Sequence, residues 1–304
     1  MNQRQTASFL KRKLHEIGVS PSSRHGQNFL IDLNLVELLA RTAAIGSDDV
    51  VLEVGTGTGS LTCIFADNAA AVVTVELDAN LHALAAEELA GRDNVVMLHQ
   101  DALKNKNQIH ANVLTAVADA LAAGTGRQFK LAANLPFSIA TPLISNLLLE
   151  SNPPVSMTVT IQKELADRIV AKPRTKDYSA LSVWVQNLCR AEVIRIMPPT
   201  VFWPRPKVYS AIIHITTDQE KRAAVRNLKF FHEFVRAMFF HRRKFLRSEL
   251  LSAFKKTLDK PQVDSIMAEM QISNKARAEE LEPRQFVDLC HAVLDRVPEN
   301  CKIL

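Results

Sequence analysis

Short apolar runs alternate with longer amphipathic segments through the first half of the chain. Five apolar runs predict buried strands at residues 50–54, 71–75, 95–99, 129–133 and 157–161. Helical spacing of apolar positions predicts helices at residues 34–43, 61–66, 80–89, 111–123, 142–149 and 163–170. This alternation is typical of a parallel sheet with helices on both faces.

The pattern changes in the second half of the chain. A helix is predicted at 181–188 and strands at 191–197 and 210–215, which would add an antiparallel pair and complete a seven-stranded sheet. The proline-rich stretch from Pro198 to Pro206 predicts an extended connector that excludes helix. Beyond residues 216–220 the pattern is helical. One helical face is predicted to carry Phe231, Val235, Met238 and Phe245, and another Arg236, Arg243 and Arg247.

Composition is that of a soluble globular protein. The 304 residues are 47% hydrophobic and 23% charged, and no apolar run approaches the length of a membrane span. The polar first 20 residues lack the pattern of a secretory signal. The four cysteines form no CxxC pair, which argues against a zinc site or a disulfide framework and favours a cytoplasmic protein. No long apolar seam is present, so a monomer is expected.

Positive charge is concentrated in two segments. Residues 1–27 carry five Lys or Arg and one Glu, a net +4, and residues 221–256 carry eleven against two acids, a net +9. Residues 257–304 carry six basic and nine acidic residues, a net −3. Solvated helix faces would explain such runs, but for 221–256 a polyanion such as nucleic acid is the favoured partner.

A glycine-rich turn follows the first predicted strand, with the sequence Gly55-Thr56-Gly57-Thr58-Gly59. Glycines at this point let the backbone approach a ligand closely. The dinucleotide fingerprint would require glycine at position 60, where Ser60 stands. Glu53 would repel a pyrophosphate, but it suits a cationic cofactor such as S-adenosylmethionine.

Two further acids end the next two strands. Glu76 lies 21 residues (76 − 55) after Gly55, where a carboxylate can accept both ribose hydroxyls, and Asp101 could accept from an adenine amine. Each acid alone could equally be a helix cap or a surface charge. Three acids at three successive strand ends favour a cofactor site at the carboxyl edge of the sheet.

The tetrapeptide Asn134-Leu135-Pro136-Phe137 ends the fourth predicted strand. The Asn134 side chain and a carbonyl beside Pro136 could accept hydrogens from an exocyclic amine, and Phe137 could stack on the attached ring. By itself the motif is more often an Asn-Pro turn. The neighbouring acids change the balance in favour of a site that methylates an adenine amine.

Taken together, these stretches resemble the ribosomal RNA adenine dimethyltransferase family. The matching residues are Gly26-Gln27-Asn28-Phe29-Leu30, the 53–59 loop, Val75-Glu76-Leu77-Asp78, Gln100-Asp101-Ala102, Asn134-Leu135-Pro136-Phe137 with Ile139, Thr141 and Pro142, Gln162-Lys163-Glu164 through Arg168, and Pro198-Pro199 with Pro206-Lys207-Val208. Mild departures are Phe137 where Tyr is usual, Gln100 where Gly is commoner, and Gly-Thr-Gly in place of Gly-Pro-Gly.

The resemblance implies a Rossmann-like seven-stranded sheet that binds S-adenosylmethionine, with a small C-terminal all-helical domain. The expected division is a basic extension at 1–23, a methyltransferase domain at 24–217 and an RNA-binding domain at 218–304. The residues at the positions of the family's cofactor contacts are Asn28, Leu30, Gly55, Glu76, Asp101 and Asn134, with Gly57 in the same loop. Asn134, Pro136 and Phe137 are the expected catalytic residues, and no metal is expected.

The expected reaction is dimethylation of the N6 amine of two adjacent adenosines in a hairpin loop near the 3′ end of 16S rRNA, within immature 30S subunits. The expected RNA-binding residues are Arg242, Arg243, Lys244 and Arg247, with the phenylalanines beside them packed in the core. A second strip is expected at Arg168, Lys172, Arg174 and Lys176. Two alternatives stay open: a large-subunit rRNA adenine methyltransferase, and a non-catalytic RNA-binding assembly factor.

Overall fold

The chain folds into a seven-stranded α/β sheet and a group of C-terminal helices, as the alternating pattern predicts. The structure, a computed structural model, describes residues 7–16, 18, 28–298 and 301–303. The strands are β1 Phe29–Leu30, β2 Asp49–Val54, β3 Ala71–Glu76, β4 Val95–His99, β5 Leu103–Asn105, β6 Gln108–Ile109, β7 Gln128–Asn134, β8 Ser156–Gln162, β9 Cys189–Met197, β10 Phe202–Trp203 and β11 Ser210–Thr217. The helices are α1 Ala7–Glu16, α2 Leu33–Ala43, α3 Ser60–Ala66, α4 Ala79–Glu88, α5 Ala111–Ala122, α6 Ala140–Leu147, α7 Lys163–Val170, α8 Ala180–Gln186, α9 Gln219–Ala223, α10 Leu228–Met238, α11 Leu246–Ala253, α12 Lys260–Glu269 and α13 Pro283–Leu294.

The central sheet has the strand order β4-β3-β2-β7-β8-β11-β9. Strands β4, β3, β2, β7 and β8 are parallel, and β11 runs antiparallel to β8. In the sheet, β3 and β4 lie on one side of β2, and β7, which follows them in the chain, lies on the other side of β2. The carboxyl ends of β3, β2 and β7 therefore meet where the winding direction reverses, which is where ligands bind in open α/β sheets. The predicted fold class is confirmed.

Burial on both faces explains the composition of the central strands. Every residue of β2 and β3 is buried, as expected for parallel strands covered by helices. On one face, Val36 and Leu39 of α2 and Phe65 of α3 pack with Val51 and Val72. This packing fixes the helices that flank the glycine-rich turn.

An amphipathic helix, α1, lies within the predicted N-terminal extension. Leu10 and Leu14 are buried, and the Lys11 ammonium lies 5.8 Å from the centre of the Trp203 ring. This is a cation–π distance. The other residues of the extension, apart from Gly18, lie outside the described residues, as do Gly26 and Gln27 of the first matching motif.

The proline connector differs from its prediction. Pro199–Val201 forms one turn of 3₁₀-helix, although the prolines were predicted to exclude helix. Proline is tolerated at the first position of a helical turn, because no amide donor is needed there. The next two residues form β10, which pairs antiparallel with β1 and so holds Phe29 and Leu30 beside the sheet.

The chain divides into two compact units. Residues 1–166 with 192–216 form the first, and residues 167–191 with 217–304 form the second. Aromatic side chains build the core of the second unit, where Trp184 contacts Phe231 and Phe254 contacts both Phe230 and Phe234. Residues 167–191 thus group with the C-terminal helices, whereas the sequence division placed them in the first domain. The functional division into methyltransferase and RNA-binding domains stays a prediction. In the described part of the chain, no helix combines the length and hydropathy needed to cross a bilayer.

Candidate active site

A cavity of about 200 Å³ opens at the carboxyl edge of the sheet, where β2, β3, β4 and β7 end. Its walls come from the segments that the sequence singled out. The lining residues are Asn28, Phe29, Val54, Gly55, Gly57, Val75, Glu76, Leu77, Asp78, Leu81, Gln100, Asp101, Ala102, Asn134, Pro136, Ser138 and Ile139. All of these lie in the first unit. The fold therefore brings the predicted cofactor and catalytic segments to one place.

The glycine-rich turn lies so close to two of its neighbours that a side chain there would force them to shift. Gly55 has φ +89°, and a Cβ there would lie 3.2 Å from Pro136 Cδ. Gly57 has φ +57°, and a Cβ there would lie 3.2 Å from Phe29 Cε1. Both positions thus favour glycine for backbone conformation and for space. The contact with Pro136 also shows that the predicted cofactor loop and the predicted catalytic turn are adjacent.

Glu76 is held as a rigid acceptor at the end of β3. Its two carboxylate oxygens accept hydrogen bonds from the backbone N–H groups of Gly57 (2.9 Å) and Asp78 (3.0 Å). Burial raises the pKa of Glu76. Each oxygen keeps a lone pair, so the carboxylate can still accept hydroxyl hydrogens from a sugar. Asp101 is exposed at the cavity, and its Oδ1 accepts from Leu103 N (2.8 Å).

Glu53, the third acid, does not line this cavity. Its side chain is 1% exposed, and Oε2 accepts hydrogen bonds from the hydroxyls of Thr62 (2.5 Å) and Thr74 (2.7 Å). Burial raises the pKa of Glu53 to about 8. Glu53 instead lines a cavity of about 50 Å³ beneath the glycine-rich turn, together with Leu30 and Leu10. Leu30, predicted as a cofactor contact, lies at this smaller cavity and not at the main one.

The Asn134 amide is fixed in orientation at the end of β7. Its Nδ2 donates to the backbone carbonyl of Asn28 (2.8 Å), and only the nitrogen of an amide can donate to a carbonyl. Its Oδ1 is buried and accepts no hydrogen bond from any described residue. A buried acceptor without a donor is costly unless a ligand supplies one. Asn134 therefore offers an oriented acceptor without a partner beside the glycine-rich turn.

In the turn after Asn134, only one of the two other predicted catalytic residues lines the cavity. Pro136 lines the cavity, and its carbonyl accepts from Ile139 N (3.1 Å). Phe137 is half-buried and is not among the lining residues, and its stacking role stays a prediction. The ring that does line the cavity is that of Phe29, which stacks on Trp203 at a centroid distance of 6.4 Å.

Gln100 carries a second polar atom without a partner. Its Oε1 accepts from Asn112 Nδ2 (3.2 Å), and its Nε2 is buried and makes no hydrogen bond within the described structure. From the sequence, Gln100 is only a departure from the glycine that is commoner in the family. Leu77, 52% exposed at the cavity, was also missed, although it directly follows the predicted Glu76.

No metal centre is indicated: within the described residues, no cluster of three or more His, Cys, Asp or Glu side chains could hold a metal ion.

The second unit presents a basic loop between α10 and α11. Arg243 and Lys244 are exposed and form no ion pair with a described residue. Arg242 is also exposed, and it donates to the Lys176 carbonyl (2.8 Å) and pairs with Glu279 (3.1 Å). This contact brings one end of the predicted second strip to the same loop, and all four of its residues, Arg168, Lys172, Arg174 and Lys176, are exposed.

Two details of this loop correct the sequence predictions. Because α10 ends at Met238 and α11 begins at Leu246, no single helix carries the two predicted faces. Phe240 is 78% exposed and Phe245 42%, so the prediction that these rings pack in the core is wrong. Arg247 has its guanidinium on the Asp264 carboxylate, with Nη2 to Oδ2 at 2.9 Å, which leaves it less available to a ligand than Arg243.

One family model and several curated relatives match most of the chain. Residues 20–294 match the family described as ribosomal RNA adenine dimethylase. The chain is 38% identical over 285 residues to ribosomal RNA small subunit methyltransferase A of Geobacillus thermodenitrificans, covering 93% of this chain and 94% of the relative. It is also 38% identical over 270 residues to the protein of the same name from Clostridium botulinum strain Loch Maree, covering 89% and 93%.

Two solved structures share the fold. A dimethyladenosine transferase from Plasmodium falciparum superimposes with a TM-score of 0.71 at 21% identity, covering 87% of this chain and 97% of that one. The 23S rRNA methyltransferase ErmE superimposes with a TM-score of 0.60 at 25% identity, covering 87% and 98%.

Proposed function

Since the chain belongs to the ribosomal RNA adenine dimethylase family, we propose that it dimethylates the N6 amines of two adjacent adenosines in a hairpin loop near the 3′ end of 16S rRNA. It is an rRNA adenine dimethyltransferase. The methyl donor that we propose is S-adenosylmethionine, and the proposed substrate is the immature small subunit in the cytoplasm. The high identity to small-subunit enzymes over nearly the whole chain supports this target.

The cavity residues fit the proposed donor. The glycines of the turn let the backbone lie at the cavity without side chains, and Glu76 offers fixed carboxylate oxygens for the ribose hydroxyls. Asp101 offers an acceptor for the adenine amine at the next strand end. S-adenosylmethionine supplies a methyl group on a positively charged sulfur, which makes that carbon electrophilic.

The observation that carries the proposal is the vacant Oδ1 of Asn134. The N6 amine of adenine is a poor nucleophile because its lone pair is delocalised into the ring. An N–H···Oδ1 hydrogen bond favours a tetrahedral nitrogen and stabilises the positive charge that develops on it. The bond from Nδ2 to the Asn28 carbonyl holds the acceptor in place, so no reorganisation is needed during transfer.

A second acceptor is needed for the other hydrogen of the amine. The Pro136 carbonyl already accepts from Ile139, so we assign this role to the carbonyl of the preceding residue, Leu135. Phe137 would stack on the flipped base and take no part in proton transfer. Water can remove the proton from the cationic product, since a methylated aminopurine cation is strongly acidic. The chain thus contributes alignment and electrostatic stabilisation.

The basic loop of the second unit is the proposed rRNA contact. Exposed Arg243 and Lys244 can neutralise phosphates, and the exposed Phe240 ring can stack on an unpaired base. The hydrogen bonds from Arg242 to Lys176 and Glu279 hold the loop beside the exposed lysines of the 172–176 strip. Together they form a surface suited to structured rRNA.

The proposal is tested by labelled methyl transfer. Purified protein is incubated with labelled S-adenosylmethionine and with immature small or large subunits, and the methylated base is located. We expect N6,N6-dimethyladenosine at two adjacent positions in small-subunit rRNA. Label in large-subunit rRNA would instead support the first alternative, and no label in either would support a non-catalytic assembly factor.

Asn134→Ala tests the proposed mechanism. We expect transfer to fall by about 10²- to 10³-fold, the usual effect of removing one preorganised hydrogen-bonding group, while RNA binding is retained. Asn80→Ala, at an exposed position in α4, is the matched control. Equal loss of transfer and RNA binding would mean that Asn134 is a structural residue.

A further inference from the structure

We propose that Gln100 extends the proposed adenine subsite at Asp101, with Gln100 Nε2 donating a hydrogen bond to ring nitrogen N7 of the cofactor's adenine. This inference rests on the proposed function, because it takes S-adenosylmethionine as the ligand of the main cavity. It assigns a specificity role to a residue that departs from the family pattern.

The first support is the orphaned donor of Gln100. The residue lines the cavity, and its backbone N–H donates to the Glu76 carbonyl (3.1 Å), which fixes the start of the segment. Asn112 Nδ2 donates to Oε1, so the amide nitrogen is the atom left for a ligand. Nε2 is buried and has no partner among the described residues. An enclosed donor of this kind costs stability until an acceptor reaches it.

The second support is the order of donors and acceptors along the segment. Asp101 uses Oδ1 for Leu103 N and exposes the rest of its carboxylate at the cavity. The Ala102 carbonyl accepts from His110 N (2.9 Å), and its own N–H makes no hydrogen bond to another described residue. The segment thus presents a donor, an acceptor and a donor in consecutive residues.

Adenine has the complementary order along one edge. Its N6 amine is a donor flanked by two ring acceptors, N7 and N1. With the amine on Asp101, the two flanking nitrogens match Gln100 on one side and the Ala102 N–H on the other. A 6-oxo purine would place an acceptor against the Asp101 carboxylate and a ring N–H against a donor. The segment therefore selects adenine against hypoxanthine and guanine.

The test measures binding by calorimetry, without RNA and without turnover. The ligands are S-adenosylhomocysteine and its 7-deaza analogue, in which carbon replaces N7. We expect the wild-type protein to bind the analogue about 3- to 10-fold more weakly, the value of one hydrogen bond. Gln100→Ala should bind both ligands equally, at the affinity that the wild type has for the analogue.

Two more variants test whether Gln100 acts as a hydrogen-bond donor. Gln100→Glu replaces the donor with a carboxylate oxygen, so it should bind S-adenosylhomocysteine more weakly than Gln100→Ala does. Gln108→Ala removes the same side chain from an exposed site in β6 and should keep the wild-type preference.

The inference is overturned if Gln100→Ala keeps the wild-type preference for the nitrogen-containing ligand, or if Gln100→Glu binds as well as wild type. A wild-type protein that binds neither ligand would overturn the proposed function as well. Strong binding of both ligands with no preference would overturn this inference alone.

Discussion

Glu53 is predicted to make the unliganded first unit less stable as pH rises. The carboxyl is fully enclosed beneath the glycine-rich turn, and burial raises its pKa from 4.5 to about 8. Below pH 4.5 the folded and unfolded chains both hold this proton. Between pH 4.5 and 8 the folded chain keeps the proton and the unfolded chain has released it. Unfolding therefore releases a proton, and rising pH favours it.

The size of the effect follows from the width of this window. One unit of pKa difference corresponds to about 1.4 kcal/mol, so a window from 4.5 to about 8 corresponds to about 5 kcal/mol in total. The loss is complete above pH 8, where both states are ionised. Glu53→Gln removes the titrating group and keeps an oxygen that can accept from Thr62 and Thr74. The variant should therefore gain stability over wild type as pH rises.

The assay is urea unfolding from pH 5 to 9, without ligand. Trp203 lies in the first unit and Trp184 in the second, so a Trp184→Phe background makes fluorescence report on the first unit. Half-buried His214, whose pKa is lowered by desolvation, adds an opposite pH dependence. The difference between Glu53→Gln and its parent cancels that contribution. Glu87→Gln, exposed on α4, is the matched control. A difference that stays flat from pH 5 to 9 would refute the reasoning.

Three further outcomes are expected. Gly57→Ala should destabilise the first unit by about 1–2 kcal/mol and weaken S-adenosylhomocysteine binding. The control is Gly91→Ala, at φ +81° with nothing within 4 Å of its Cβ, which should cost backbone strain alone and leave binding intact. Urea unfolding measures the stability of both variants, and calorimetry measures their binding. Tyr178→Phe removes the hydroxyl that donates to a backbone carbonyl at 2.9 Å and should cost the second unit about 1 kcal/mol in urea unfolding. Replacing Arg243 and Lys244 with Ala should weaken rRNA binding and lower the slope of log affinity against log salt by about 2, and an unchanged slope would exclude them as phosphate contacts.

The sequence predicted the central strands of the sheet well because they are buried on both faces. Strand β3 begins where the apolar run at 71–75 begins and extends one residue beyond it, and every one of its residues is buried. Helix α7 has the predicted bounds, 163–170. The smaller elements were missed for a physical reason. β1 and β10 have only two residues each, and they exist because Phe29 pairs with Trp203 across the chain. No local pattern encodes such a pairing.

The exposed rings of the basic loop were also mispredicted from the sequence pattern. Apolar residues at helical spacing favour a packed face, but the loop at 239–245 breaks the spacing. Phe240 is therefore exposed, whereas Phe231 and Phe234 are buried in the core. The orphaned atoms of Gln100 and Asn134 were equally beyond the sequence. Their significance depends on which side of each amide already has a partner, and only the folded structure specifies that.

Strand register explains why Glu53 and Glu76, two of the predicted acids, lie in different environments. Glu53 lies level with Thr74 of β3 and, one step beyond the paired Leu52 and Leu131, with Ala132 of β7. Glu76 and Asn134 each lie two residues farther toward the carboxyl edge, so they project on the same face but one pleat higher. Because of this offset of about 7 Å along the strand, Glu53 is enclosed beneath the glycine-rich turn, whereas Glu76 and Asn134 lie at the cavity. Glu76 and Asn134 therefore lie at one level, on the two strands that flank β2. We propose that this shared level lets a methyl donor held at Glu76 face an amine held at Asn134, as in-line transfer requires.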